Sequence, residues 1–249
     1  MINSCYINGC ISDRSDFPEG LYVYQTMMTF GCEALYLGDY LRALKVATEE
    51  LLQRELSLVE SDVAAMITEF MRRNNYPARM PASVELRCYL SGEIVLLGGD
   101  VSPYPKLGLR LLMPEGVDVA YDLPLSESCS SLRLAVAQAA RVKAESRGAR
   151  VAVQVDREGL VRSVDNAELF AVKEYTIVTP AELTSVEGRL VAKAIARAGL
   201  ELEVAPLVVA DLEEADEIFY ADHRGMTALG RFNGHPLMHI LAERIAAHF

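Results

Sequence analysis

Residues 151–180, VAVQVDREGLVRSVDNAELFAVKEYTIVTP, restrict the fold more than any other stretch of the chain. Val151, Val153 and Val155 alternate with Gln154 and Asp156, the period-2 pattern of a strand buried on one face. Asp156-Arg157-Glu158-Gly159 then supplies turn chemistry, because glycine takes positive φ without steric cost. Apolar runs at 169–172 and 175–178 follow, and Thr179-Pro180 ends the second. A chain with this centre builds a sheet, and the helices elsewhere must find a face of it to cover.

Those helices are legible in the flanking sequence. Leu37, Tyr40, Leu41, Leu44, Ala47 and Leu51 recur at three and four residues, so one helical face is buried. A second helix opens at Ser61-Asp62, buries Val63, Met66, Ile67 and Phe70, and stops at Asn74-Asn75 and Pro77. Ser130-Ser131 caps a third that ends at Gly148, and a fourth runs over 186–198 to Gly199. The last is expected to open at Pro236 with Leu237, Ile240, Leu241 and Ile245 inward. Strands are expected at 4–7, 21–30, 84–90, 94–97, 107–113, 202–205 and 217–220. Pro, Gly, Asp, Ser and Glu replace periodic apolar residues over 114–128, which reads as a crossover between lobes. The expected organisation is an α/β (α+β) chain with an N-terminal lobe at 1–117, a linker at 118–128 and a C-terminal lobe at 129–249.

With 249 residues and 51% hydrophobic content, the chain can bury a substantial core. A net charge of -11 argues against nucleic acid or an anionic membrane surface as a partner. No stretch approaches the roughly 20 apolar residues of a membrane span, and MINSCYINGC carries no basic leader. A soluble cytoplasmic protein is expected. Cys5, Cys10, Cys32, Cys88 and Cys129 are odd in number, scattered and without C-x-x-C, which suits free thiols in a reducing compartment. A hairpin turning at Asn8-Gly9 accounts for Cys5 and Cys10 without a metal.

Several stretches resemble the class IV aminotransferases, the fold-type IV pyridoxal-phosphate enzymes. The central segment is similar to D-x-x-G-x-V-x-E-G-x-x-x-N-x-F, and residues 211–219, DLEEADEIF, are similar to D-L-x-x-A-D-E-V-F. Gly20-Leu21-Tyr22-Val23-Tyr24-Gln25-Thr26-Met27 resembles G-x-G-V-F/Y-E-T-I, with Tyr24 in the place of the aromatic beside the cofactor. The resemblance implies the two-lobed architecture of D-amino acid aminotransferases, a cleft between the lobes, a homodimer and pyridoxal phosphate as cofactor.

The same resemblance puts other residues where the chemistry should be. Ser130 stands at the Schiff-base lysine, and serine forms no imine. Ser163 stands at the acid facing the ring nitrogen, and Ala43 at the phosphate-gripping arginine, with Tyr40 replacing a histidine of the same helix. Residues 183–188, LTSVEG, replace the phosphate loop L-P-G-I-T-R and bring Glu187 close to it, where its charge disfavours phosphate. The implied pocket positions are therefore Tyr24, Ser130, Ser163, Ser185 and Val186, with Asp222 and His223 in the turn that borders the family's active site.

Two functions follow from this conflict. In one, the chain is a catalytically inactive homologue that binds a small ligand or a partner protein. In the other it is an active aminotransferase, or an enzyme like aminodeoxychorismate lyase, with a relocated lysine. Lys45, Lys143, Lys173 and Lys193 sit among residues that suit solvated lysines, and Lys106 in Ser102-Pro103-Tyr104-Pro105-Lys106 is the candidate stand-in. His235 and His239 have a spacing that suits metal, but a helix cap plus a surface histidine explains them. Ser130 beside Cys129 invites a nucleophile, yet no histidine is placed near it and a helix cap is the simpler role.

Overall fold

A computed structural model describes residues 4–13, 16–102, 108–110, 113–120 and 129–249. The chain divides into two compact units: 1–106 with 125–133, and 107–124 with 134–249.

The first unit is built on a six-stranded sheet in the order β2-β1-β6-β5-β3-β4. Its strands are β1 (Ser4–Ile7), β2 (Cys10–Asp13), β3 (Tyr22–Phe30), β4 (Glu33–Ala34), β5 (Ala82–Tyr89) and β6 (Ile94–Val101). All its pairings are antiparallel. Helices α1 (Leu37–Leu52) and α2 (Glu60–Arg73) follow the expected periodicity and bury Leu44, Ile67 and Phe70 completely. Phe70 meets Tyr6 of β1 edge-on, with ring centroids 5.3 Å apart. Tyr6 is register partner of Leu96, so the helices cover the sheet face that carries Tyr6, Leu96 and Leu86.

The second unit stacks layers. One five-stranded sheet runs β12-β11-β10-β13-β14, and another β16-β15-β7-β8-β9. The first comprises β10 (Leu169–Lys173), β11 (Thr176–Thr179), β12 (Leu202–Val204), β13 (Glu217–Asp222) and β14 (Gly225–Ala228). The second comprises β7 (Glu115–Ala120), β8 (Val151–Val155), β9 (Val161–Val164), β15 (Arg231–Phe232) and β16 (His235–Pro236). Strand alternation divides the core cleanly. Leu169, Ala171, Ile218 and Tyr220 join Val151, Val153 and Phe232 in one cluster. Phe170, Val172, Phe219 and Ala221 point the other way, onto α4 (Val186–Arg197) and α6 (Ile240–Ala246). Ala152 packs with Val117, Val119, Ala140 and Ala144, the last two from α3 (Ser131–Ser146).

Three expectations are corrected. The alternation over Val151–Val155 predicts a half-buried strand, but all five residues are buried. The strand lies between α3 on one side and a second sheet on the other, and Gln154 survives there because its amide is hydrogen-bonded. Within the stretch expected as a crossover, Glu115–Ala120 form β7, paired in parallel with β8. Val117 and Val119 flanking Asp118 are the signal, too short to outweigh Pro114 and Gly116; residues 121–128 lie outside the described residues. The last helix begins at Ile240 rather than Pro236, which pairs with Arg231 in β16. Ile240 is consequently exposed. Of the strand expected at 107–113, Leu109 bridges Met226 of β14, and 107, 111 and 112 lie outside the described residues. The short helix α5 (Val209–Glu213) has no counterpart among the expected elements.

Candidate functional site

In the first unit, the sheet face opposite the helices gathers polar and aromatic groups. Tyr22, Tyr24 and Thr26 of β3 stand directly across from Tyr89, Arg87 and Glu85 of β5. Directly opposed antiparallel residues share one face, so the six side chains form one surface. Arg87 lies over the Tyr22 ring, 4.6 Å from its centroid, and ion-pairs with Glu85 at 2.6 Å. Glu85 also accepts from the Thr26 hydroxyl at 3.1 Å. Burial would lower the Arg87 pKa, but Glu85 beside it and the hydrogen bond with Tyr89 hold the guanidinium charged. Burial pushes the Tyr22 phenol up, against the pull of Arg87. Nothing local in the sequence marks Arg87, because its ring partner Tyr22 comes from another strand.

Ser130 belongs to the same unit. It bridges Val23 on the free edge of β3, and the Tyr24 N–H donates to the Cys129 carbonyl at 2.9 Å. Ser130 is fully buried, and its hydroxyl accepts from the Arg133 N–H at the start of α3, the role of a helix cap. Of the five lysines, Lys45, Lys143, Lys173 and Lys193 are exposed. Lys173 reaches Glu214 at 2.7 Å, and Lys45 reaches Glu49 at 3.8 Å. Lys106 lies outside the described residues. Arg42, next to Ala43, is exposed and paired with Asp39 at 2.6 Å.

In the second unit, Ser163 sits in a buried polar chain. Its hydroxyl donates to Gln154 Oε1 at 2.8 Å, and Gln154 Nε2 donates to the Asp165 carbonyl at 2.7 Å. Asp165, held at φ 51°, accepts from the Ala152 N–H and ion-pairs with Arg141 at 2.6 Å.

The α4 N-terminus already holds an internal anion. Glu168 Oε1 accepts from the N–H groups of Thr184 at 2.6 Å and Ser185 at 2.9 Å. Glu168 Oε2 accepts from the Ser185 hydroxyl, which in turn accepts from the Gly188 N–H at 2.9 Å. Val186, the first helical residue, is buried. Glu168 and Glu187 therefore place two carboxylates at the helix end where the sequence resemblance expects a phosphate.

The third assembly surrounds the turn between β13 and β14. Asp222 accepts from the N–H and guanidinium of Arg224, so the turn bonds to itself as its composition suggests. Arg110, from the strand segment beside β14, adds a second cation 3.7 Å from Asp222 Oδ2. Arg110 also donates to the Thr227 hydroxyl and, at 3.2 Å, to the Tyr220 hydroxyl. Burial raises the Tyr220 phenol, with Arg110 opposing it. His223 is half-buried beside Asp222.

Burial alone would raise the Asp222 carboxyl. The hydrogen bond and charge of Arg224 outweigh burial, with Arg110 and His223 behind them, and hold it below the usual aspartate value. A depressed folded pKa contributes stability that is fully present above the unfolded value of about 3.9. That stability is lost as pH falls through the folded value. Asp222→Asn removes this titration. The stability gap between wild type and D222N in urea is therefore expected to shrink between about pH 5 and about pH 2. A constant gap would show that Asp222 ionisation does not stabilise this turn.

No family model and no curated protein matches the chain. Solved structures do match, over almost its whole length. The branched-chain aminotransferase of Thermoproteus uzoniensis with norvaline aligns at a TM-score of 0.83 and 15% identity, covering 98% of this chain and 92% of that one. The chain has the fold of the branched-chain aminotransferases. The Escherichia coli branched-chain aminotransferase aligns at 0.82 and 13% identity, covering 98% and 92%. A mutant form of the branched-chain amino acid aminotransferase from Thermobaculum terrenum aligns at 0.79 and 16%, covering 99% and 91%. These likenesses bear on the fold, which is the fold-type IV architecture that the sequence motifs imply. Within this branched-chain aminotransferase fold, DLEEADEIF is a structural device. Asp211 accepts the Val208 N–H at 2.8 Å, Asp216 the Glu174 N–H at 2.7 Å, and buried Glu217 two N–H groups of α6.

Among the described residues, those at the positions that the sequence resemblance assigns do not fit pyridoxal phosphate. The cofactor needs an amine for its aldehyde, an acid for its ring nitrogen and donors for its phosphate. At the matching positions stand a buried serine cap, a serine donating to a neutral amide, and a helix end carrying carboxylates. Among the described residues, no group of three His, Cys, Asp or Glu could hold a metal ion. His235 lies exposed in β16, and His239 pairs with Glu243 at 3.3 Å. No helix among the described residues is long and apolar enough to cross a membrane.

Proposed function

We propose that this protein keeps the branched-chain aminotransferase fold without its covalent chemistry, and binds a small ligand or a partner protein in place of a tethered cofactor. The observation that carries this reading is the contrast between Ser130, fully buried and capping α3, and Lys45, Lys143, Lys173 and Lys193, all exposed. A Schiff-base lysine must be partly desolvated so that its amine is unprotonated and nucleophilic at neutral pH. An exposed, ion-paired lysine such as Lys173 does not meet that condition; Glu214 pushes its pKa up. The two carboxylates at the α4 N-terminus support the same reading. The protein acts as a homodimer in a reducing compartment, as the resemblance and the scattered free thiols suggest; sedimentation checks the former.

The test is direct. The purified protein is incubated with pyridoxal phosphate, a branched-chain amino acid and 2-oxoglutarate. The expected result is no turnover above the protein-free cofactor and no imine absorbance that borohydride removes. Turnover accompanied by such a band would overturn the reading.

A further inference from the structure

We infer that the Glu168 carboxylate is an internal substitute for a phosphate: it holds the donors ahead of α4, so that this end of the second unit folds without an anionic ligand and excludes one. The inference deepens the functional reading above and rests on it, since it assumes a protein that keeps no tethered cofactor.

The donor set is the first argument. Glu168 Oε1 accepts from two successive backbone N–H groups, Thr184 at 2.6 Å and Ser185 at 2.9 Å, and from the Thr184 hydroxyl at 3.3 Å. Oε2 accepts from the Ser185 hydroxyl. Each of these partners is a neutral donor, and backbone N–H groups converging at a helix N-terminus are what anionic oxygens bind. A helix cap does not explain the arrangement. The Gly188 N–H is already capped by the Ser185 hydroxyl, and Glu168 binds ahead of Val186, the first helical residue. Glu217 behaves differently at α6, where each oxygen takes one N–H from within the helix, Leu241 and Ala242.

Space is the second argument. Gly188 leaves a cradle that any side chain would fill: a Cβ there would lie 1.7 Å from Glu168 Oε2 and 2.8 Å from its carboxyl carbon. The anion in that cradle belongs to the chain itself. Glu168 leaves the backbone between Ala167 and Leu169, both buried, but is itself only half-buried, so solvent ions reach the place it occupies. A phosphate would have to displace the carboxylate or share its donors. Sharing sets like charges side by side, and Glu187 in the first turn of α4 adds to the repulsion. Displacement is also unfavourable, because a carboxylate on the same chain loses no translational freedom on binding and a free ion does.

Thermal unfolding of the full chain is followed by circular dichroism in chloride and in millimolar inorganic phosphate at matched ionic strength. Glu168→Ala is expected to lower the midpoint, and phosphate to raise that variant's midpoint by a few degrees while leaving wild type unmoved. Glu168→Gln is expected to ignore phosphate, because the amide still fills the cradle. In the Glu168→Ala/Gly188→Ala double variant the new Cβ takes up the vacated room, and the response to phosphate is expected to vanish. An equal rise in wild type, no rise in E168A, or a rise shared by E168Q or the double variant overturns the inference. If E168A is unfolded in both buffers, Glu168→Ser, which removes the carboxylate but keeps a hydroxyl, decides in its place. The two readings fail separately. An E168A variant indifferent to phosphate, in a protein that forms no reducible imine, removes this inference and leaves the functional reading standing; a reducible imine in wild type beside a phosphate response in E168A does the reverse.

Discussion

Glu217→Ala is expected to destabilise the second unit by about 3–5 kcal/mol, seen as a lower urea midpoint for the transition that includes α6. Glu217 is 2% exposed, and its two oxygens accept the Leu241 N–H at 2.8 Å and the Ala242 N–H at 2.9 Å. Those amides are among the first of α6, which have no partner within the helix. Removing the carboxylate strands two buried donors, each costing about 1–3 kcal/mol, and also discards the attraction between its charge and the helix N-terminus. The helix then frees Leu241, Ala242 and Ile245 from the cluster around Phe170 and Phe219. Glu217→Gln keeps one acceptor and should lose about half as much. A change below about 1 kcal/mol in the alanine variant would mean that packing alone holds α6.

Gly188→Ala should cost about 2–4 kcal/mol, although alanine is the better helix former by about 1 kcal/mol. A Cβ at Gly188 would lie 1.7 Å from Glu168 Oε2, with the Ser185 hydroxyl at 3.1 Å. The carboxylate would have to leave, and the Thr184 and Ser185 N–H groups would lose their acceptor. The penalty thus belongs to the pair, which a double-mutant cycle isolates. With Glu168→Ala already in place, Gly188→Ala should cost far less. Additive losses would show that the clash is relieved without moving Glu168.

Both effects turn on contacts that the sequence could only partly reveal. The strands and helices with strong periodicity are legible: β3, β8, β10 and β13 fall where their apolar residues predict them, and Gly199 ends α4 with φ 69°. Less legible is how many sides of each element are covered. Val151–Val155 looks half-buried because Gln154 breaks its apolar run, yet Ser163 and the Asp165 carbonyl satisfy that amide inside. DLEEADEIF is recognisable as a motif, but the work of its acids depends on Val208, Glu174 and α6, up to 42 residues away.

The candidate site shows the same division. Ser130, Ser163 and Ser185 are legible as positions where an amine, an acid and a phosphate donor are expected. Glu168, Arg87 and Arg110 are not, because each acquires its role from a distant partner: Arg110 and Thr227 are 117 residues apart. The one local signal is Glu168 itself, a charge set between Ala167 and Leu169, both buried.

Covalent tethering is the central issue, and peptide mapping after borohydride reduction in the presence of pyridoxal phosphate tests it most directly. The account predicts no lysine carrying a stoichiometric phosphopyridoxyl group, only sparse labelling spread over exposed amines such as Lys45, Lys143, Lys173 and Lys193. One lysine fully modified while the others stay clear, Lys106 included, would contradict it.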